Sequence, residues 1–447
     1  MLKSLNNTYI IIALILFSLV FGKTVEKYIL VTGVSILSVI SYYTLLQSNA
    51  SMNKKFYSRK FLALEVFTYS LLFITLYNAI SYYYTNNFLI FSASDALGYH
   101  EFTKIMVNMS SLDKALDYYL TDWAVTDLGM VMLMYPMYHV VESNLILNAF
   151  YLLSGVITSL SLFRLSRNFM STQYAFMSAL AYSTSSFILF FHTTGLKESF
   201  MVMMAIFSID FYYQFNKTSK IKYLIYLLIC FGILVFFRPA IPAMIIVSVV
   251  VGSVFSKKGS LVIKSISFLL LLSLVFLWEP LMTLMDSYTG GDVEILIEGK
   301  QSQGMIIGSI PFTYAVNVLA QTLGPLPTLV SEEKVKLTFY AAGLMYRVLL
   351  AIPFWLGILY IFKTKIYNMY PLMVFVLMEM LALIGIMEGL ELRKSLSHIP
   401  LVFIIAFWFL DQYDKKNIQF KNKKLFKIFM QTATLFLFII MLYWNTK

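Results

Sequence analysis

Apolar runs close to or above about eighteen residues recur along the whole chain, separated by short polar connections. A run of that length is what a helix needs to cross the hydrocarbon core of a bilayer. The pattern predicts about thirteen spans, at 7–23, 28–46, 61–84, 143–163, 172–192, 198–215, 222–237, 239–255, 261–281, 341–362, 369–387, 398–411 and 427–444. The strip 127–142 reads as a further, dipping helix. The first run follows a single lysine and lacks a small-x-small cleavage site, so it is expected to be a retained helix rather than a removed signal. The fold class expected is all-α: one polytopic integral membrane domain over 1–447.

Two connections are too long to be simple turns, 85–142 and 282–340. The first opens with "FSASDALGYHEF". Leu97, Phe102, Ile105, Met106, Met109 and Leu112 then recur at a spacing of 3 and 4. That spacing predicts a helix lying on the membrane surface, with Ser94 or Asp95 as its N-cap. The second connection contains "GSIPFTYAVNVLAQTLGPLPT", whose Pro and Gly residues predict short re-entrant or interfacial pieces.

Composition agrees with the pattern. The chain is 59% hydrophobic and only 13% charged, more apolar surface than one water-soluble core could hide. The net charge of +11 would suit a polyanion partner if it were gathered on one face. Instead the cations fall in alternate short connections: Lys54, Lys55, Arg59 and Lys60; Arg164 and Arg167; Lys217, Lys220 and Lys222; Lys257, Lys258 and Lys264; Lys363 and Lys365; and the stretch 415–427. This is the positive-inside pattern of a multi-pass protein, and it argues against nucleic acid as a partner. It places the N-terminus in the cytoplasm and both long, acidic connections outside. The single cysteine, Cys230, excludes an internal disulfide and a cysteine metal cluster.

Four stretches carry candidate chemistry. In "SDALGYHE", Asp95 and Tyr99 are four apart on one helical face, and a carboxylate at the membrane boundary suits a general base toward a hydroxyl. The same residues are equally readable as a cap and a solvated face. In "HTTGLKESF", Lys197 and Glu198 open a span, and a lysine beside a helix N-terminus suits a phosphate, or else a plain hairpin turn. In "FFRPAIP", Arg238 stands alone within a long apolar stretch, where its fork suits a phosphate unless it snorkels to the interface. "EGLELRKSLSHIP" adds Glu388, Glu391, Arg393, Lys394 and His398, and Arg347 is a further isolated cation. No P-loop, dinucleotide fingerprint or HExxH spacing is present.

The order of these features resembles a known family. Asp95 and Tyr99 in the first long loop are followed by "FRLSRNF", then "ALAYSTSSFILFFHTTGLKES", "FFRP" and the late "LRKSLSHIPLVFIIAFWFL". The chain resembles bacterial polyprenyl-phosphate-dependent glycosyltransferases of the GT-C fold, the class of the protein O-mannosyltransferase-like enzymes. The resemblance is best over 85–260 and weaker over 385–412. It departs in having two more early spans, and in Asp95-Ala96 where an acidic pair is common. The long outer loops and aromatic, Lys-rich composition also resemble O-antigen and capsule repeat-unit polymerases.

The resemblance implies Asp95 as the catalytic base, with Tyr99, Lys197, Glu198, Arg238 and Arg393 on the substrates. It implies an inverting transfer from a polyprenyl phosphate or pyrophosphate, such as an undecaprenyl-linked sugar, to a hydroxyl of a glycan or lipid-linked oligosaccharide. The site would lie on the outer face of the bacterial inner membrane, in cell-envelope polysaccharide synthesis alongside a chain-length regulator. No metal ligand set is expected, although a divalent cation at Asp95 stays open. The competing class is a lipid-linked oligosaccharide flippase, which should show paired repeats and mid-membrane charges; no repeat is visible, and the charges crowd one boundary.

Overall fold

The computed structural model describes residues 57–85, 94–122, 128–255, 265, 293–302, 306, 308–324, 335–389, 392–415, 418 and 423–446. The expected spans at 7–23, 28–46 and, apart from residue 265, 261–281 lie outside the described residues. The helices run α1 (Arg59–Thr85), α2 (Ser94–Val107), α3 (Leu112–Asp122), α4 (Leu128–Tyr138), α5 (Asn144–Ser166), α6 (Thr172–Ser183), α7 (Ser186–Phe191) and α8 (Glu198–Thr218). They continue as α9 (Ile221–Val235), α10 (Ala240–Phe255), α11 (Val293–Ser302), α12 (Ile310–Leu323), α13 (Val335–Thr364), α14 (Tyr370–Gly385), α15 (Ile399–Asp414) and α16 (Lys423–Thr446), with 3-10 turns at Tyr367–Met369 and Leu392–Ser397. The fold is that of an all-α, multi-pass membrane protein. By length and composition, four described helical segments are long and apolar enough to cross a membrane: Arg59–Ala79, Asn144–Ser166, Arg347–Thr364 and Tyr367–Gly385. Leu128–Tyr138, Ile221–Val235 and Ala240–Phe255 are shorter apolar helices.

Helix α5 packs against α1, α6 and α8, while α15 packs against α13 and α6. Along α15 every side chain from Ile399 to Asp411 is buried. Lipid gives apolar helices little reason to associate, so close packing of small and polar residues does that work. On α5 the buried face accordingly carries Asn148, Ser154, Gly155, Thr158, Ser159 and Ser161.

The expected continuous span at 172–192 is corrected. It is two helices, α6 and α7, broken at Thr184 and Ser185, with the whole break buried. Backbone freed at such depth must find a partner within the protein. The Thr184 hydroxyl donates to Leu180 O, and the Ser186 hydroxyl accepts from the Gly343 amide of α13 at 2.8 Å. A Cβ on Gly343 would stand 2.3 Å from Phe187 N and 2.5 Å from Ser185 Oγ. Gly343→Ala is therefore expected to push α13 off the break and cost about 1–3 kcal/mol, read as a lower unfolding midpoint in detergent. An unchanged midpoint would show that α13 has room to spare there.

The first long connection is helical, as expected, but it presents a different face. Helix α2 buries Ala96, Tyr99, Thr103 and Met106, whereas Leu97, Ile105 and Leu112 are exposed. The stripe read from spacing mixes two faces of α2, Leu97 and Ile105 outward and Met106 inward, and Leu112 belongs to the separate helix α3. Asp95 is not the cap either, since α2 already includes Ser94 and holds Asp95 in its first turn. His100 Nδ1 lies 2.6 Å from the Tyr138 hydroxyl, joining α2 to α4, and burial lowers its pKa below the usual 6.5. Within the Pro- and Gly-rich part of the second connection, Ile310–Leu323 is one 14-residue helix, α12, whose buried stripe is Thr313, Asn317, Ala320 and Gln321.

Candidate functional site

One end of the helix bundle gathers the polar residues the sequence singles out. The 3-10 turn Leu392–Ser397 lies between α14 and α15 and packs on α8. Its Arg393 Nη1 donates to Asp95 Oδ2 in the first turn of α2, across 298 positions of sequence. The Asp95 side chain is 38% exposed and that of Arg393 27%, so the pair is reachable from outside the protein.

A second pair lies at the start of α8. Arg238 Nη2 is 3.9 Å from Glu198 Oε1, with the glutamate almost wholly buried. Arg238 reaches this place because α9 ends at Val235 and the chain turns through Phe236 and Phe237. The Phe237 ring packs on Phe200, and Phe236 O accepts from Gly129 N at 2.9 Å. Lys197 is the N-cap residue of α8 and half-buried. Glu198 in the first turn already complements the positive end of the helix dipole. Glu198 Oε2, Ser199 Oγ and His192 Nδ1 are buried without a hydrogen-bond partner among the described residues. The His192 ring fills the space above Gly155, where a Cβ would meet its Cε1 at 2.6 Å. Nearby, the Tyr151 hydroxyl donates to Leu196 O at 2.7 Å, fixing the strip ahead of Lys197.

The turn carrying Arg393 is held from two sides. Gln321 Nε2 of α12 donates to Gly389 O at 2.7 Å and to Ser395 Oγ at 3.0 Å. Glu379 of α14 accepts from the Ser397 hydroxyl and lies 3.5 Å from His398 Nδ1. Arg347 serves this scaffold: its Nη2 donates to Gln321 O at 2.8 Å, and its guanidinium lies over the Phe354 ring. A third charged group sits beside the turn, where Glu388 is approached by both Lys300 of α11 and Lys394.

Of the residues expected at the site, Asp95 and Arg393 are in direct contact, as are Glu198 and Arg238. Tyr99 is 2% exposed and its ring belongs to the core cluster. Its carbonyl accepts from the Thr103 hydroxyl. Sequence reasoning missed Lys300, Gln321 and Glu379, which lie on elements it read as loop or plain span. The one available signal was the polar triplet Thr313, Asn317 and Gln321 at helical spacing. Among the described residues no group of three or more His, Cys, Asp or Glu could hold a metal ion.

Residues 131–282 match the family model of dolichyl-phosphate-mannose-protein mannosyltransferases. The matched stretch runs from α4 through α10 and includes Lys197, Glu198 and Arg238; Asp95 and Arg393 lie outside it. No curated protein and no solved structure matches the chain.

Proposed function

We propose that this chain, similar over 131–282 to GT-C-type polyprenyl-phosphate-dependent glycosyltransferases, transfers a sugar from a polyprenyl-linked donor to an acceptor hydroxyl. The observation that supports the reading is the partly exposed Asp95–Arg393 pair, carried on a turn that packs on α8, the helix that opens with Glu198 and its partner Arg238. In this reading Asp95 serves as the base, and Arg393 and Arg238 as the cations that meet the phosphate. The donor's lipid tail stays in the bilayer while its phosphate meets the cleft from the side. The site faces the extracytoplasmic side of the bacterial inner membrane, with the N-terminus in the cytoplasm, and the product belongs to a surface polysaccharide.

The chemistry follows from the residues. An incoming phosphate competes with Asp95 for the Arg393 guanidinium, whose planar fork matches phosphate oxygens. The carboxylate then turns to the acceptor hydroxyl and takes its proton as the oxygen attacks the anomeric carbon. The bond from that carbon to the phosphate oxygen breaks, and the electron pair leaves with the phosphate, stabilised by the cations. Attack opposite the leaving group inverts the anomeric centre.

The test is transfer by the purified full chain in nanodiscs, with a labelled polyprenyl-linked sugar and a glycan acceptor. Product is expected only from the lipid-linked donor and not from a sugar nucleotide. Label that crosses the bilayer without being transferred would identify a flippase and sink the reading. Products extended by one sugar mark single transfer, whereas ladders of whole repeats mark a polymerase.

A further inference from the structure

Arg238 and Arg393 each meet a carboxylate, whereas Arg347 meets none among the described residues. It is 3% exposed. Its Nη2 donates to Gln321 O at 2.8 Å and its guanidinium lies over the Phe354 ring. Its Nη1 is buried without a hydrogen-bond partner, and so is Gln321 Oε1. The negative end of the α12 dipole supplies about half a charge, which leaves the guanidinium in excess. A water can join the two unpartnered atoms, yet it brings no negative charge. A buried cation without a counter-charge is costly, and an arginine fork matches phosphate oxygens.

Helix α12 is what keeps an anion from Arg347. Near its end, Gln321 O and Thr322 O accept from Arg347 and from Trp355 Nε1, both at 2.8 Å. Gly324, with φ at +94°, lies so close that a Cβ would stand 2.4 Å from Arg347 Cγ. Gly308, with φ at +68°, stands just ahead of the other end. Between these two glycines, the side of α12 that meets the protein is largely polar, with Thr313, Asn317 and Gln321. A helix seated on polar groups is held by hydrogen bonds more than by apolar packing, and such elements open at low cost. The outward residues Phe312, Val318 and Leu319 are exposed and apolar. That face suits lipid rather than water.

We propose that Arg347 is a phosphate site closed by α12, and that the phosphate it takes is carried on a lipid. As α12 lifts, the guanidinium releases Gln321 O and turns its nitrogens to the phosphate oxygens. The site is additional to the Asp95–Arg393 and Glu198–Arg238 pairs, and it does not depend on how Asp95 acts.

The experiment measures binding of labelled polyprenyl phosphate to the full chain in a phosphate-free maltoside detergent. Phosphatidylglycerol and inorganic phosphate are the other probes. Arg347→Gln is expected to weaken lipid phosphate binding about tenfold or more, the loss of a charge-assisted contact. Arg347→Lys, which keeps the charge, should retain most of it, and unfolding midpoints separate lost binding from lost fold. The loss should be as large in an Arg393→Gln chain; if it vanishes there, both arginines hold one phosphate and the additional site is overturned.

The cover is tested with a disulfide. A Cβ on Gly389 would stand 3.1 Å from Asn317 Cβ, close to the separation of about 3.5–4.5 Å that a disulfide spans. Asn317→Cys with Gly389→Cys, in a Cys230→Ala chain, therefore ties α12 down when oxidised and frees it when reduced. The oxidised form should lose the Arg347-dependent binding and regain it with reductant, a reversal that a folding defect does not give. Equal binding by parent and Arg347→Gln overturns the site. Equal binding by the oxidised and reduced forms overturns α12 as its cover. Inorganic phosphate competing as well as the lipids overturns the lipid assignment, whereas phosphatidylglycerol binding as tightly as polyprenyl phosphate keeps it and makes bulk phospholipid the source. Arg347-dependent binding without sugar transfer leaves this site standing and fails the enzymatic reading.

Discussion

Asp95→Asn is expected to lower the rate of sugar transfer about 10²–10⁴-fold, the usual contribution of a positioned general base. The protein should remain folded. The Asp95 side chain is 38% exposed and that of Arg393 27%, and exposed ion pairs contribute about 0–1 kcal/mol. The amide of the variant can still accept one hydrogen bond from the guanidinium. What it cannot do is take a proton or compete on equal terms with a phosphate for Arg393. Donor binding is therefore expected to hold or tighten while turnover collapses. That split distinguishes a base from a merely structural carboxylate, whose loss would loosen the cleft and weaken donor binding as well. Rates with saturating lipid-linked donor, and donor affinity measured separately, check both halves. Full activity in the Asn variant removes Asp95 from the mechanism.

The elements that place this site were legible in the sequence to different degrees, for physical reasons. A run of apolar residues determines its own helix almost regardless of neighbours, because lipid leaves the backbone no other partner. Hence α1, α5, α8, α14 and α15 stand within a few residues of the expected spans. The break between α6 and α7 was hidden because "AYSTSSFILFF" contains neither Pro nor Gly. The Gly343 amide, 157 positions away, meets the break at the Ser186 hydroxyl, a tertiary contact that local pattern does not record.

The charged residues show the same division. Their types and their rarity marked Asp95, Glu198, Arg238 and Arg393 as worth explaining. Which acid meets which base depends on how far-apart turns are brought together, and hydropathy carries no information on that. Glu198 is the clearest instance. Beside Lys197 it read as part of an interfacial pair or an anion site, whereas in the fold its buried oxygen faces Arg238. The core side of α2 failed in a related way. Spacing alone made Leu97 and Ile105 equivalent to Met106, but only Met106 turns inward.

The largest stability effect is expected between α5 and α8, from Arg164→Met. Asp210 of α8 is fully buried, and Arg164 of α5 meets it twice, with Nε 2.6 Å from Oδ2. Gln214 adds a bond to the other oxygen at 3.3 Å. Removing the arginine strands a carboxylate where water cannot reach it, and breaking a buried pair in this way costs about 3–5 kcal/mol. Removing both charges is a different perturbation. Arg164→Met combined with Asp210→Leu leaves no buried ion to solvate, and apolar replacement of a buried pair is often near neutral. The double variant is therefore expected to recover most of the loss, short of the bond Gln214 gives up. Unfolding midpoints of the parent, single and double variants in mild detergent close the cycle. A single variant as stable as the parent, or a double variant no better than the single, would show that Arg164 is held mainly by water. Sugar transfer by the folded fraction should be unchanged in both, because neither residue is among those assigned to the donor or the acceptor.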